Sequence, residues 1–397
     1  MRRHFLKSIA LTLVAIFTVS LCQAYLNAQD VTITVKPREM EKPAGEKSDR
    51  TAMDVAILLD TSNSMDGLIN QAKAQLWNIV QEFAKAEKSG STPLFRVSVF
   101  EYGNDSLSAK EDYIRQVCGL TDDLDKVSEA LFSLRTHGGS EYCGAVIQDA
   151  LEVLDWSNRT DSYKAIFIAG NEPFNQGPDA YKEACVSAVA AGVVVNTIHC
   201  GDNETGIQQF WQDGAVRGGG EYLNINQNRK VIHIDAPQDS IIIQLSSDLN
   251  RTYLWFGEAD VRGDYSKNQR AQDLNAGSNS VSRAVSKAGK LYSNASRDLV
   301  DTYKNNKNIL ADVEEKCLPD SMQKMSKKDR LAYIKKMANK RIEIQKEIAK
   351  QNKAREKYVE AEKARLVGTK GERESTLGDV MRSAVRKQLI ASGFDVK

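Results

Sequence analysis

A doubly wound, mostly parallel β-sheet flanked by helices, followed by an all-helical C-terminal region, is the α/β fold class that this 397-residue sequence predicts. Three observations predict it. Val55–Leu59 (VAILL) is a continuous apolar run, as a strand covered on both faces must be. Strand-like runs and helical patterns then alternate over about 200 residues, which is the signature of a parallel sheet built from crossover units. From residue 281 onward the composition turns to Lys, Glu, Ala and Arg, and residues 326–366 contain neither glycine nor proline.

The chain opens with MRRHFLK, IALTLVAIFTVSLC and QAYLNAQD. Basic residues precede an apolar run of signal-peptide length, too short for a comfortable bilayer span. Residues 1–28 therefore read as an export signal, cleaved after Ala24 or Ala28, or as a retained N-terminal anchor attached to a membrane. Either way the remainder lies in a periplasm or outside the cell. Residues 29–51, polar and with two prolines, read as a linker.

The strand at 55–59 leads into Met65, Leu68, Ile69, Ala72, Leu76, Ile79, Val80 and Phe83, whose spacing by threes and fours makes one apolar helix stripe. Further strands are expected at 96–101, 113–118, 164–169 and 193–198, with an edge strand and ribbon over 221–234. Helices are expected at 121–134, where Thr121, Asp122 and Asp123 suit a helix N-terminus, and at 143–155, 179–191 and 239–253. The first domain spans 52–256. Residues 257–280, rich in Gly, Asn and Ser, read as a second linker, and 281–397 as a helical, weakly coiled-coil region. There Ser326 and Asp329 form a capping-box pattern. Ile334, Met337, Ile344, Ile348 and Tyr358 follow heptad-like spacing, interrupted by Arg341, Gln351 and Arg355. Such a helix either packs antiparallel on 285–312 or dimerises with a second copy through 326–366.

Net charge is +1, so no basic surplus favours nucleic acid. Five cysteines follow Cys22, and no CxxC spacing suggests zinc or dithiol chemistry. Small buried residues with one structural disulfide at most is their plainer interpretation.

The informative segment is Asp60-Thr-Ser62-Asn-Ser64, at the end of the first strand. Ligands of open parallel sheets bind at the carboxyl ends of strands, where the loops gather. One carboxylate and two hydroxyls at alternate positions can converge there. Such donors suit a hard cation, magnesium first, with calcium or manganese as alternatives. Taken singly, each of the three is equally a helix-capping residue.

With this motif in this setting the chain resembles the von Willebrand factor A-type family, shared with integrin inserted domains. That family's metal-ion-dependent adhesion site opens with Asp-x-Ser-x-Ser, which Asp60, Ser62 and Ser64 match. The likeness covers about residues 52–256, including GGS at 138–140 followed by Glu141, and AGNEP at 169–173. FIAGNEPF and the Lys/Glu-rich tail are similar to a group of exported bacterial members. The resemblance implies a metal set of Asp60, Ser62, Ser64, Ser140 and Glu141. It also implies a non-enzymatic module whose protein partner presents an acidic residue to the cation, with helix 239–253 as the moving element.

Two departures stand out. The second loop usually carries Thr. Here Ser140 is the nearest match and Thr136 a more distant one, while Glu141 resembles the integrin β-type version. The third loop, usually Thr-Asp-Gly, reads Ala169-Gly170-Asn171. The usual aspartate is absent, and Asn171 or Glu172 must supply its oxygen. The main alternative is a structural envelope scaffold with a degenerate metal site, in which the C-terminal helices do the binding. A third option is a thiol hydrolase using Cys143, or Cys200 with His199, for which no orienting carboxylate can be assigned. His137 lies in the GGS loop, His233 beyond the last strand, and Arg262-Gly-Asp264 in the second linker. Trp211 and Trp255 read as packing residues.

Overall fold

The computed structural model describes residues 50–397 except 178–179, 227, 229–233 and 368–375. The expected signal segment, nearly all of the first linker, His233 and the ribbon beyond the last strand lie outside the described residues. Among those described, no helix is long and apolar enough to cross a membrane.

The strands in chain order are β1 (Ala52–Asp60), β2 (Ala86–Glu87), β3 (Leu94–Tyr102), β4 (Ile114–Thr121), β5 (Tyr163–Gly170), β6 (Val194–Cys200), β7 (Gly219–Ile225) and β8 (Asp395–Val396). The helices are α1 (Asp66–Phe83), α2 (Leu124–Ser133), α3 (Cys143–Val153), α4 (Tyr181–Ala190), α5 (Asn203–Gln208), α6 (Trp211–Arg217) and α7 (Asp239–Asn250). They continue as α8 (Ala259–Asn275), α9 (Ser280–Ala288), α10 (Leu299–Asn305), α11 (Ile309–Asp312), α12 (Asp320–Gln323), α13 (Lys327–Val367) and α14 (Leu377–Ala391).

Six strands form one sheet in the order β4-β3-β1-β5-β6-β7, parallel except where β4 runs against β3. Every residue of β1 is buried because it lies between β3 and β5 and is covered on both faces. Met53, Val55, Ile57 and Leu59 face a core formed with α1, α2 and α14, whereas Ala56 and Leu58 face one formed with α3, α4 and Trp211. Helix α1 buries Leu68, Ile69, Leu76, Trp77, Ile79, Val80 and Phe83. Burial on the order of 1.5–3 kcal/mol per large apolar side chain outweighs the weak helix propensity of its Gly67 and Asn residues. The chain crosses from one side of β1 to the other, so the loops after β1 and β5 diverge and leave a crevice at this switch point.

Three features differ from the sequence expectation. Residues 257–280 are largely helical: α8 occupies what read as a linker. Its buried stripe includes Asn268, Gln269 and Gln272, satisfied by Gln272–Asn268 (2.9 Å), Ser128–Gln272 (2.8 Å) and Gln269–Tyr292 (3.2 Å) hydrogen bonds. A search for apolar periodicity passes over a stripe made of amides. Second, Arg341 does not interrupt the α13 seam. It is buried with Ile334, Met337, Ile344 and Ile348. Its guanidinium donates to Asp298 (2.7 Å), Asp301 (2.9 Å) and the Thr252 carbonyl (2.7 Å), above the Tyr253 ring. Ser326 does cap α13, accepting from the Asp329 amide at 3.2 Å. That helix runs over α7, α9 and α10 of its own chain. Third, α14 returns to the sheet and packs on α1 and β7, while β8 pairs with β2.

Candidate metal centre

Asp60 ends β1 fully buried in the crevice. Its Oδ1 accepts the Ser62 amide at 2.7 Å, while Oδ2 is buried with no hydrogen-bond partner. The turn brings the Ser62 and Ser64 hydroxyls within 3.3 Å of each other, and Ser64 Oγ donates to Asn171 Oδ1 at 3.3 Å. Oxygens from the first and third loops therefore meet.

The second loop reaches the same place by close backbone contact. The His137 amide donates to the Thr61 carbonyl (2.9 Å) and the Asp105 amide to the Gly138 carbonyl (2.6 Å). A Cβ at Gly139 would stand 2.1 Å from the Gly103 carbonyl oxygen, so only glycine lets this loop lie against the end of β3. Glu141 is then laid across Gly103 beside Asp60: a Cβ at 103 would meet Glu141 Cγ at 2.5 Å and Asp60 Oδ1 at 3.1 Å. Glu141 is buried, and its Oε2 also lacks a hydrogen-bond partner.

Burial, and next the Asp60 charge, push the Glu141 carboxyl up to about 8. Burial is also the largest influence on Asp60, with the Glu172 charge adding to it, and holds that carboxyl at about 7. Two desolvated carboxylates side by side, each with an unsatisfied oxygen, form an arrangement that a bound cation would relieve. Asp60, Glu141, Ser62, Ser64 and Asn171 supply only oxygen, the donor set of a hard divalent cation, so the residues fit the metal that the motif implies. Among the described residues, no group of three or more His, Cys, Asp or Glu side chains is placed to share a metal. Hydroxyls and an amide fill out this set instead.

The remaining candidates sort by position. Ser140 sits on the same loop as Glu141 but takes part in none of the hydrogen bonds above. Thr136 donates to Asp66 at the start of α1, so it is engaged elsewhere. Glu172 is exposed and acts on Asp60 and Glu141 through its charge. At Gly170, where the family's aspartate would stand, a Cβ would lie 2.5 Å from the Tyr102 hydroxyl and 3.2 Å from Asp60 Oδ2. The Tyr102 hydroxyl, bonded to the Ala169 carbonyl at 3.0 Å, occupies the space such a side chain needs. Nothing in the sequence marked Tyr102 as part of the site, because it comes from the neighbouring strand. The Cys143 and Cys200 thiols are fully buried, and burial pushes both well above the ordinary thiol range. Cys200 packs into the α1-side core while His199 lies on the other face near Trp211, so the two do not pair.

A mostly parallel α/β sheet with an oxygen-lined crevice at its switch point defines the class: a doubly wound α/β domain with a candidate cation site. Residues 54–210 match the family model of the von Willebrand factor type A domain, and the chain carries that domain over this stretch. Among curated proteins no sequence matches the chain. It is similar to the solved structure of an aerotolerance-related membrane protein from Bacteroides fragilis, at 18% identity over 44% of this chain and 93% of that one, TM-score 0.31. It is similar to BatB from Bacteroides thetaiotaomicron, at 15% identity over 56% and 99%, TM-score 0.33. It is also similar to proximal thread matrix protein 1 of the mussel byssus with a zinc-occupied MIDAS motif, at 15% identity over 44% of this chain and 42% of that one, TM-score 0.34.

Proposed function

We propose that the chain is an exported, cation-dependent protein-binding module. Domains of this family are commonly protein-interaction modules with a metal-dependent adhesion site. The observation that carries the reading here is the pair of orphaned, buried carboxylate oxygens, Asp60 Oδ2 and Glu141 Oε2, beside the Ser62, Ser64 and Asn171 oxygens. Asp60 and Glu141 would hold the ion, magnesium by preference for hard oxygen donors, with the serines and Asn171 filling its shell. The ion would supply a positive centre for an acidic side chain of the partner protein. The basic and apolar N-terminal sequence supports export to a periplasm or cell surface.

The test is calorimetric titration of the mature chain with magnesium, calcium and manganese. Saturable binding at one site, lost in Asp60→Ala, is the expected result. At about a hundredfold excess over Kd the cation should also stabilise the protein by about 2.7 kcal/mol, seen as a raised melting temperature. No binding of any of the three ions would sink the reading. One observation favours the second reading, an envelope scaffold whose helices do the binding: the closure of the third-loop position by Gly170 and Tyr102. In that case partner capture would survive both chelation and Asp60→Ala.

A further inference from the structure

The third loop lacks its usual aspartate, so its contribution depends on how Asn171 and Glu172 are held. The contacts that hold them come from elements that the motif does not include. Trp211, the first residue of α6, is fully buried, and its indole Nε1 donates to the Glu172 carbonyl at 2.9 Å. The Phe174 amide donates to the Gln209 carbonyl at 2.9 Å, and the Phe174 ring packs tilted against Trp211 with centroids 4.9 Å apart. A Cβ at Gly214 would come 2.4 Å from Phe174 Cε1, so α6 lies directly on the loop. Thr197 of β6 donates to the Trp211 carbonyl at 2.7 Å and fixes the start of α6 on the sheet. His199, 2% exposed, meets the Asn171 backbone on one side and Asn224 of β7 on the other, the latter at 3.2 Å from Nδ1.

We infer that Trp211 is a positioning residue for the cation site. Its indole N–H and ring fix the backbone of residues 171–174 so that the Asn171 oxygen faces Ser64 and the Glu172 charge faces Asp60 and Glu141. His199 supports the same loop from the end of β6. A rigid loop is what a weak, neutral ligand requires, because a ligand that must be ordered on binding gives back in entropy what it gains in contact. This inference rests on the cation-binding reading.

The experiment uses the full chain and manganese alone as the probe, with Kd from calorimetry and melting temperature recorded together. Trp211→Phe keeps a ring in the pocket and deletes the N–H. It is expected to weaken manganese binding about tenfold, the equivalent of one hydrogen bond worth ~1.4 kcal/mol. Trp77→Phe is the control. Trp77 is equally buried in the other core and its Nε1 has no hydrogen-bond partner. It should lose comparable packing and leave Kd unchanged. His199→Phe should weaken binding, and His199→Gln, which retains a donor, should recover most of it. Equal manganese affinity in wild type and Trp211→Phe, or equal losses in Trp211→Phe and Trp77→Phe, would overturn the inference while leaving the cation site standing. A wild-type chain that binds no manganese overturns both.

Discussion

At residue 170 the candidate site departs from the family's usual pattern in a way that one substitution cannot reverse. Gly170→Asp supplies the usual carboxylate but drives its Cβ to 2.5 Å from a buried tyrosine hydroxyl. Overpacking of this kind costs on the order of 1–3 kcal/mol. The single variant should therefore melt below wild type and bind cation no better. Adding Tyr102→Phe removes the hydroxyl and should recover most of the lost stability, and the double variant should bind manganese more tightly than Gly170→Asp alone. Thermal melts and calorimetry on the three proteins check this, and additive effects of the two substitutions would contradict it. Asp60, Ser62 and Ser64 were legible in the sequence because their spacing is local. The Asn171 and Glu141 contributions were visible only as candidates, since loop-to-loop distance is not encoded in spacing. Tyr102 and Trp211 were invisible as site residues, for they act from a neighbouring strand and a helix through the fold.

Among the elements, α9 holds the most consequential buried charges. Arg283 donates to Asp125 (2.6 Å) and Asp273 (2.9 Å) between the Trp77 and Tyr292 rings. Lys287, wholly buried, donates to Asp273 and Asn250, each at 2.7 Å. These bonds tie α9 to α2, α7 and α8. Burial is the largest influence on Lys287 and pushes its ammonium down to about 8, despite Asp273. The unfolded chain keeps this proton until about 10.5. Between those values the unfolded state binds more protons than the folded one, so this group's contribution to stability rises with pH across that window and is lost again as pH falls through 8. Denaturant midpoints of wild type and Lys287→Met, compared at about pH 7.5 and 9.5, isolate it. Wild type should gain relative to the variant by roughly 2 kcal/mol at most. A difference that does not change with pH would refute the assignment. Apolar periodicity foretold α1 to α4 and α7 but neither the short α5 and α6 nor α8, and for α8 the same polar contacts explain why.

Across the whole molecule, the C-terminal helix belongs to the sheet's packing. Gln388 of α14 accepts from the Tyr163 hydroxyl at 2.7 Å and donates to the buried Asn196 at 2.6 Å. The Leu377 amide donates to Gln71 of α1 at 2.9 Å. Leu377, Met381, Ala384, Val385 and Leu389 fill the α1-side core. A chain ending before Thr376 would expose the apolar face that α14 covers and leave Asn196 and Tyr163 without their Gln388 partner, with several kcal/mol lost, mostly from the buried apolar side chains. It should melt at a markedly lower temperature than the full chain and bind a hydrophobic dye. Melting unchanged by the truncation would show that α14 is an accessory arm.

The sequence by itself determined the strands of the sheet, its central strand, helices α1 to α4 and α7, and the motif of the candidate cation site, because these depend on local periodicity and on residues a few positions apart. It also determined that residues 326–366 form one helix, since nothing within them breaks or bends it. Tertiary structure decided what those elements do to each other. It placed Glu141 beside Asp60 and put a tyrosine where an aspartate was expected. It turned Arg341 from a flaw in a seam into a buried anchor, and brought the end of the chain back onto the sheet. Each of these joins groups separated by tens to hundreds of residues, and such distances are set by packing and by the need to satisfy buried charge, which leave no periodic trace in the chain.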